Sequence, residues 1–336
     1  MLGSVITAMV TPFRADGAVD FERFRELATF LVENGSDGLV VCGTTGESPT
    51  LSDAEKLDLF RVAVDEVGHR ATVIAGAGTY DTTHSIHLTR AATELGVDAI
   101  LVVTPYYSKP PQRAIVRHFE EIADATDLPV VAYNIPGRVA VNIEPATMAR
   151  LAEIENVVAV KIAPFNRYQT LEVVRAISEA GRDDIALYTG NDDNIVLDLL
   201  TPFRFHVDGK RVERRIVGGL LGHWAVWTKR AVELHAECRR LAQSGAAIPA
   251  ELLGRGNEIT DANAAFFDAA NGYAGCIPGL HEVLRRQGLL EGLWCLDPKE
   301  TLGPGQREEI DRVCRAYPHL NDDEFIIQHR DEWLRI

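Results

Sequence analysis

The 336-residue sequence predicts an α/β chain folded as a (β/α)8 barrel, the TIM-barrel architecture, with a C-terminal helical subdomain. Three observations carry this reading. Short runs rich in β-branched residues alternate eight times with amphipathic stretches of helical length. The runs are apolar throughout rather than alternating, so both faces are covered, as in a parallel sheet. The first run leads into TPFRADG at 11–17, which lacks the glycine-rich turn that a doubly wound dinucleotide sheet needs there.

The first strand is read at 4–12, and a helix over 21–33 follows Asp20, whose carboxylate can cap it. The second strand at 38–43 precedes a helix at 53–67. Ser52 and Glu55 have the spacing of a capping box there. The third strand at 72–76 is followed by a helix at 82–95 that stops at Gly96, suited to a left-handed C-cap. The fourth strand spans 99–107 and its helix 112–125; the fifth spans 129–134 and its helix 144–154. The sixth strand at 157–163 and seventh at 185–190 precede helices at 168–180 and 194–200. The eighth strand is read at 215–219 and the eighth helix at 224–242. The segment 201–214 breaks the rhythm. Asp208-Gly209 within it is a turn signal between two β-prone flanks, which reads as a hairpin insertion. The expected organisation is therefore a barrel at 1–242 carrying that insertion and a helical subdomain at 243–336.

Composition narrows the function. Hydrophobic residues are 46% and charged residues 25%, the proportions of a folded globular chain. Lys plus Arg number 34 against 49 Asp plus Glu, a net charge of −15, which repels phosphate backbones and argues against a nucleic-acid partner. No run reaches the roughly 18 apolar residues of a membrane span. MLGSVITAMVTPF enters an apolar strand without a basic region, so no signal peptide is read. The five cysteines form no CxxC pair, which points to reduced thiols in a cytoplasm rather than a disulfide framework or zinc site.

The catalytic face of such a barrel is the C-terminal end of its strands. Of six lysines, five lie in polar or helical contexts, whereas Lys161 ends the sixth apolar run. Burial disfavours the charged form of an amine, so a lysine there can serve as a Schiff-base nucleophile; the alternative is a strand-end lysine snorkelling to solvent. Gly43-Thr44-Thr45-Gly46-Glu47 follows the second strand and can hold a carboxylate on hydroxyls and amides, or be a plain turn whose threonines cap a helix. Tyr133 and the pair Tyr106-Tyr107 end the fifth and fourth runs, either as phenols that move protons or as rim packing. Arg138 follows in a loop, free to clamp a carboxylate or to form a surface ion pair.

GTTGESPTL at 43–51, VTPYYSKPPQ at 103–112, YNIPGR at 133–138 and the lysine of VVAVK at 157–161 together resemble the dihydrodipicolinate synthase/N-acetylneuraminate lyase family, the synthase branch more than the lyase branch. The resemblance implies pyruvate-dependent class I aldolase chemistry with no metal or organic cofactor. Lys161 would form the imine and Tyr133 would move protons with Thr44 and Tyr107, the last often reaching a neighbouring subunit. Thr45, nearby amides including that of Gly46, and Gly190 would hold the keto acid. Arg138 would bind the second substrate's carboxylate, and the chain would assemble as a homotetramer or homodimer.

Departures from the family pattern point to specificity. Pro164 and Phe165 stand where the synthase pattern after the lysine has Thr or Ser and then Gly, and His223 stands near the eighth strand. These positions leave open a keto-sugar-acid dehydratase or hydratase-aldolase on the same lysine, or a keto-acid-binding protein without turnover. His84 and Tyr80 replace the acid and the amide of the synthases' lysine-inhibition site, so no inhibition by lysine is expected.

Overall fold

The apolar runs become strands because neighbours cover both of their faces. The computed structural model, which describes residues 2–334, joins eight of them in a closed parallel barrel. They are β1 (Val5–Ala8), β2 (Gly38–Val41), β3 (Thr72–Gly76), β4 (Ala99–Val103), β5 (Val130–Asn134), β6 (Val157–Ile162), β7 (Ala186–Thr189) and β10 (Gly218–Leu221). The circle closes between β1 and β10, with Val5 opposite Gly219 and Thr7 opposite Leu221. Between β7 and β10, β8 (Phe203–Val207) and β9 (Lys210–Arg214) form a separate antiparallel hairpin.

The helices between strands start and stop where their local chemistry directs. They are α1 (Phe21–Glu33), α2 (Asp53–Val67), α3 (Thr82–Glu94), α4 (Gln112–Ala123), the single turn α5 (Pro136–Val139), α6 (Pro145–Leu151), α7 (Arg167–Glu179), α8 (Ile195–Leu200) and α9 (Thr228–Ser244). Asp20 accepts from the Arg23 amide, Ser52 and Glu55 cap each other's backbone, and Gly96 takes φ +83 just past α3.

Two boundaries at the seam differ from the sequence expectation. The eighth strand begins at Gly218 rather than 215, because the two arginines before it bond elsewhere. Arg214 donates to the carbonyls of Arg182 and Ile185 and to Asp183, and Arg215 donates to the Leu200 carbonyl. Glycine is required where the strand starts, since a Cβ on Gly218 would lie 2.0 Å from the Ser4 carbonyl oxygen. The eighth helix begins at Thr228 rather than 224. Residues His223–Ala225 make a 3-10 turn and Trp227 adopts φ +50, which buries both Trp224 and Trp227. The Trp224 indole donates to the Gly219 carbonyl, and Trp227 meets Phe266 edge-on at 4.8 Å.

Side-chain parity sorts the core into two layers. Ile6, Val40, Ile74, Leu101, Val131, Tyr133, Ala159, Ala163, Tyr188 and Leu220 fill the barrel interior, while Val160 and Ile162 of β6 pack outward against the helices. Lys161 has the inward parity of Ala159 and Ala163.

After the barrel come α10 (Ala250–Phe266), α11 (Cys276–Arg286), α12 (Gln306–Ala316) and α13 (Asp323–His329). α10 packs on α8 and α12. The connection from α10 to α11 is pinned from two sides: Asp268 accepts from the Gly275 amide, and Gln306 donates to the carbonyls of Ala265, Phe266 and Gly275. This fixes Phe267 and Tyr273 across the C-terminal mouth of the barrel. Among the described residues no helix is long and apolar enough to cross a membrane.

Candidate active site

At the end of β2 the chain turns sharply, with Cys42 at φ +55 and Glu47 at φ +57, both strained for non-glycine residues. The turn between them is tied to itself. The amides of Gly46 and Ser48 donate to the Gly43 carbonyl at 3.1 and 3.2 Å, and Thr11 Oγ1 donates to the Gly46 carbonyl at 2.8 Å. The threonine side chains are thereby presented to the barrel mouth. Thr44 Oγ1 lies 3.4 Å from the phenol oxygen of Tyr133, a loose contact of the kind that tightens around a bound substrate.

Tyr133 and Lys161 are direct partners in the β5–β6 ladder, and both side chains are buried. Lys161 Nζ sits 4.1 Å from the centroid of the Tyr133 ring. Across the next strand, Gly190 makes room for the lysine stem: a Cβ there would come 2.9 Å from Lys161 Cε and 2.8 Å from Ala163 Cβ. These groups open on a chamber of about 200 Å³ that also holds Thr45, Arg138, Pro164 and Phe165. Phe165 adopts φ +52, held by donation of its amide to Asn191 Oδ1 at 2.9 Å. Arg138, on α5, stacks over the Tyr273 ring with its guanidinium carbon 5.6 Å from the centroid.

The chamber has a carboxyl that the sequence reading did not single out as a site residue. Asp192 lines it and is pushed up to about 7 by burial, against the His223 amide, which donates to its Oδ1 at 2.9 Å, and against the field of Lys161. Its signal in the sequence was two acids directly after a barrel strand. Phe267, Tyr273 and Cys276, also in the wall, come from the C-terminal segment and have no local motif.

Three sequence-predicted positions stand apart from the chamber. The Gly46 amide is spent on the Gly43 carbonyl, so it is closed to a substrate carboxylate, and this glycine shapes the turn instead. His223 is fully buried behind the wall; its Nδ1 is 2.7 Å from Asn263 Oδ1, and burial pulls it down to about 4. A neutral ring so enclosed reaches the chamber only through its backbone amide, as a packed histidine rather than a group free at the mouth. Tyr107 is 87% exposed, beside the exposed ring of Tyr80, and the single chain does not bring it to Tyr133. Tyr106 occupies the wall of a second cavity, about 370 Å³, that adjoins Thr44, Tyr133 and Arg138 and also holds Lys56, Tyr80 and His84.

Comparison with known proteins places the chain in a family. The profile of the dihydrodipicolinate synthetase family matches residues 1–202. A 4-hydroxy-tetrahydrodipicolinate synthase from Desulforudis audaxviator is 52% identical over 220 residues, 65% of this chain and 71% of the relative. Among solved structures, the lysine-bound enzyme of this family from Cyanidioschyzon merolae superposes with a TM-score of 0.80 at 34% identity, covering 94% of this chain and 98% of that one. The chloride-inhibited dihydrodipicolinate synthase of Acinetobacter baumannii, complexed with pyruvate, gives 0.79 at 29% identity over 94% and 98%.

Proposed function

The chain belongs to the dihydrodipicolinate synthetase family, and from that premise we propose that Lys161 forms an imine with pyruvate, whose enamine then adds to a carboxylate-bearing aldehyde. It is an enzyme of the class I aldolase type acting on small molecules. The observation that carries the reading is the Lys161 amine inside the barrel mouth, 4.1 Å from the Tyr133 ring, with Thr44 3.4 Å beyond on the phenol oxygen.

The neutral amine of Lys161 attacks the ketone carbon. The resulting carbinolamine oxygen takes a proton and leaves as water, giving a protonated imine. Loss of a methyl proton yields the enamine, with the imine nitrogen as electron sink, so no metal is needed for this step. The enamine carbon bonds to the aldehyde carbon, whose oxygen takes a proton, and water releases the product and restores the amine. Tyr133 carries these protons with Thr44 as its partner, and Tyr107 of a second copy completes the relay. Thr45 holds the keto-acid carboxylate, Gly190 leaves space for the lysine stem, and Arg138 holds the carboxylate of the aldehyde.

Incubation with pyruvate and borohydride should leave a reduced adduct on Lys161, seen by peptide mass spectrometry and absent in Lys161→Ala. An unmodified Lys161 would end the proposal. Aspartate semialdehyde is the first acceptor to test, given the synthases among the relatives. The aromatic cover of Phe165, Phe267 and Tyr273 supports a second reading, dehydratase or hydratase-aldolase chemistry on the same imine. Robust synthase turnover would exclude it; retro-aldol or dehydration activity without synthase turnover would favour it.

A further inference from the structure

Outside the reaction chamber, the C-terminal segment returns to the catalytic turn at Glu47, the residue directly after Thr44-Thr45-Gly46. The Leu296 amide donates to Glu47 Oε2 at 3.0 Å. The other carboxylate oxygen, Oε1, is buried and takes no hydrogen bond from the backbone; the carboxylate's remaining partner is the Cys295 thiol, a weak donor, and the residue as a whole is only 6% exposed. A buried carboxylate oxygen so poorly partnered is costly and calls for an explanation. Beside it lie the buried thiol of Cys295 and the carboxylate of Glu300, with ligand atoms of all three within 4.8 Å of one another.

We propose that Glu47, Cys295 and Glu300 form a binding site for a borderline-soft divalent cation of the Zn²⁺ class, which clamps the C-terminal segment to the catalytic turn. The donor set of one sulfur and two carboxylate oxygens suits such an ion, and water would take the fourth position. Around a tetrahedral ion with metal–oxygen and metal–sulfur bonds of about 2.1 and 2.3 Å, ligand atoms sit roughly 3.5 Å apart, so the side chains need only close in slightly. The surroundings are short of positive charge. Burial and the neighbouring Glu300 push Glu47 up to about 7, and burial with Glu47, Glu300 and Asp297 pushes the Cys295 thiol far up. Arg138 is the nearby cation that acts on Glu300. On binding, the S–H bond of Cys295 breaks, its electron pair goes to the metal and its proton to solvent; a proton held on Glu47 is released in the same way. The site is separate from the imine chemistry, which proceeds at Lys161, but it anchors the turn that carries Thr44 and Thr45.

The test uses the full-length protein, stripped with chelator and titrated with Co²⁺ as a spectroscopic substitute. The expected result is one equivalent bound with a near-ultraviolet thiolate-to-metal charge-transfer band. Cys295→Ser should lose the band. Glu300→Gln should keep it while weakening affinity about tenfold or more, in the range of ligand-shell changes. Zn²⁺ should raise the melting temperature of the wild type and leave that of Cys295→Ser unchanged. Glu300 is half-buried, so its variant keeps the test decisive if Cys295→Ser folds poorly. Absence of saturable binding, a band that survives Cys295→Ser, or unchanged affinity in Glu300→Gln would overturn the proposal.

Discussion

Gly190→Ala isolates the demand that the lysine makes on its surroundings. A Cβ at position 190 would sit 2.9 Å from Lys161 Cε, 3.2 Å from its Cγ and 2.8 Å from Ala163 Cβ. Carbon atoms in contact lie about 3.5–4.0 Å apart, so the lysine stem, flanked by Tyr133 and Tyr188 in the ladder, must leave its rotamer. Overpacking of this kind costs roughly 1–3 kcal/mol. If that cost falls on reaching the attacking geometry, each 1.36 kcal/mol is tenfold, so the rate of imine formation should drop about 5- to 150-fold. The rate of borohydride trapping with saturating pyruvate measures this directly. Gly137→Ala is the control: Gly137 also lines the chamber, but a Cβ there meets nothing within 4 Å, and the rate should stay within twofold. Equal trapping rates for Gly190→Ala and wild type would refute the claim that this glycine exists to seat Lys161.

Further outcomes follow from the same geometry. Arg138→Ala should leave the pyruvate adduct intact and cut kcat/KM for the acceptor by 10-fold or more, the cost of a lost charged hydrogen bond; equal losses in both steps would place the arginine elsewhere. Asp192→Asn should change the pH dependence of stability. Burial raises this carboxyl from 3.8 to about 7, so the folded state holds the extra proton, and its contribution is full below about pH 4 and lost as pH rises to about 7. The variant, measured by urea denaturation, should therefore gain more over wild type at pH 8 than at pH 5, by at most about 4 kcal/mol across the whole window at 1.36 kcal/mol per unit. An equal difference at both pH values would show that Asp192 is not desolvated. L-Lysine at millimolar concentration should leave turnover and melting temperature unchanged, because the cavity beside Thr44 presents Tyr80 and His84, the latter bonded to Asp53, where an incoming ammonium would need a free acid; a shift in either would contradict this. Tyr107→Phe should slow turnover only if a second copy delivers the phenol, so an unaffected rate would remove Tyr107 from the relay.

The caps of α1 and α2 and the end of α3 were legible because the chemistry is local: Asp20, Ser52 with Glu55, and Gly96 act within one helical turn of themselves. Lys161 was legible because one charged residue in an apolar strand needs a wet or reactive end to face. The eighth strand was misplaced by three residues for a nonlocal reason. Arg214 and Arg215 satisfy themselves on the loop between α7 and β7 and on the last residue of α8, and sequence alone does not show those partners. His223 could be placed beside the eighth strand from sequence, but only the fold shows Asn263, 40 residues on, closing over it.

What the chain's order of residues determined by itself was the alternation of apolar strands and amphipathic helices, the place of Lys161 at the end of the sixth apolar run, and that of Thr44 and Thr45 just after the second. These depend on spacing along the chain, and backbone geometry enforces spacing wherever the segment folds. What only tertiary structure decided was the shape and charge of the chamber: Phe267 and Tyr273 roofing it, Asp192 dried out beside the lysine, and Glu47 brought against Cys295 and Glu300. Those features join residues up to some 250 positions apart (Glu47 and Leu296 are separated by 249), and burial, which sets their protonation and reach, exists only once the barrel has closed and the C-terminal helices have docked.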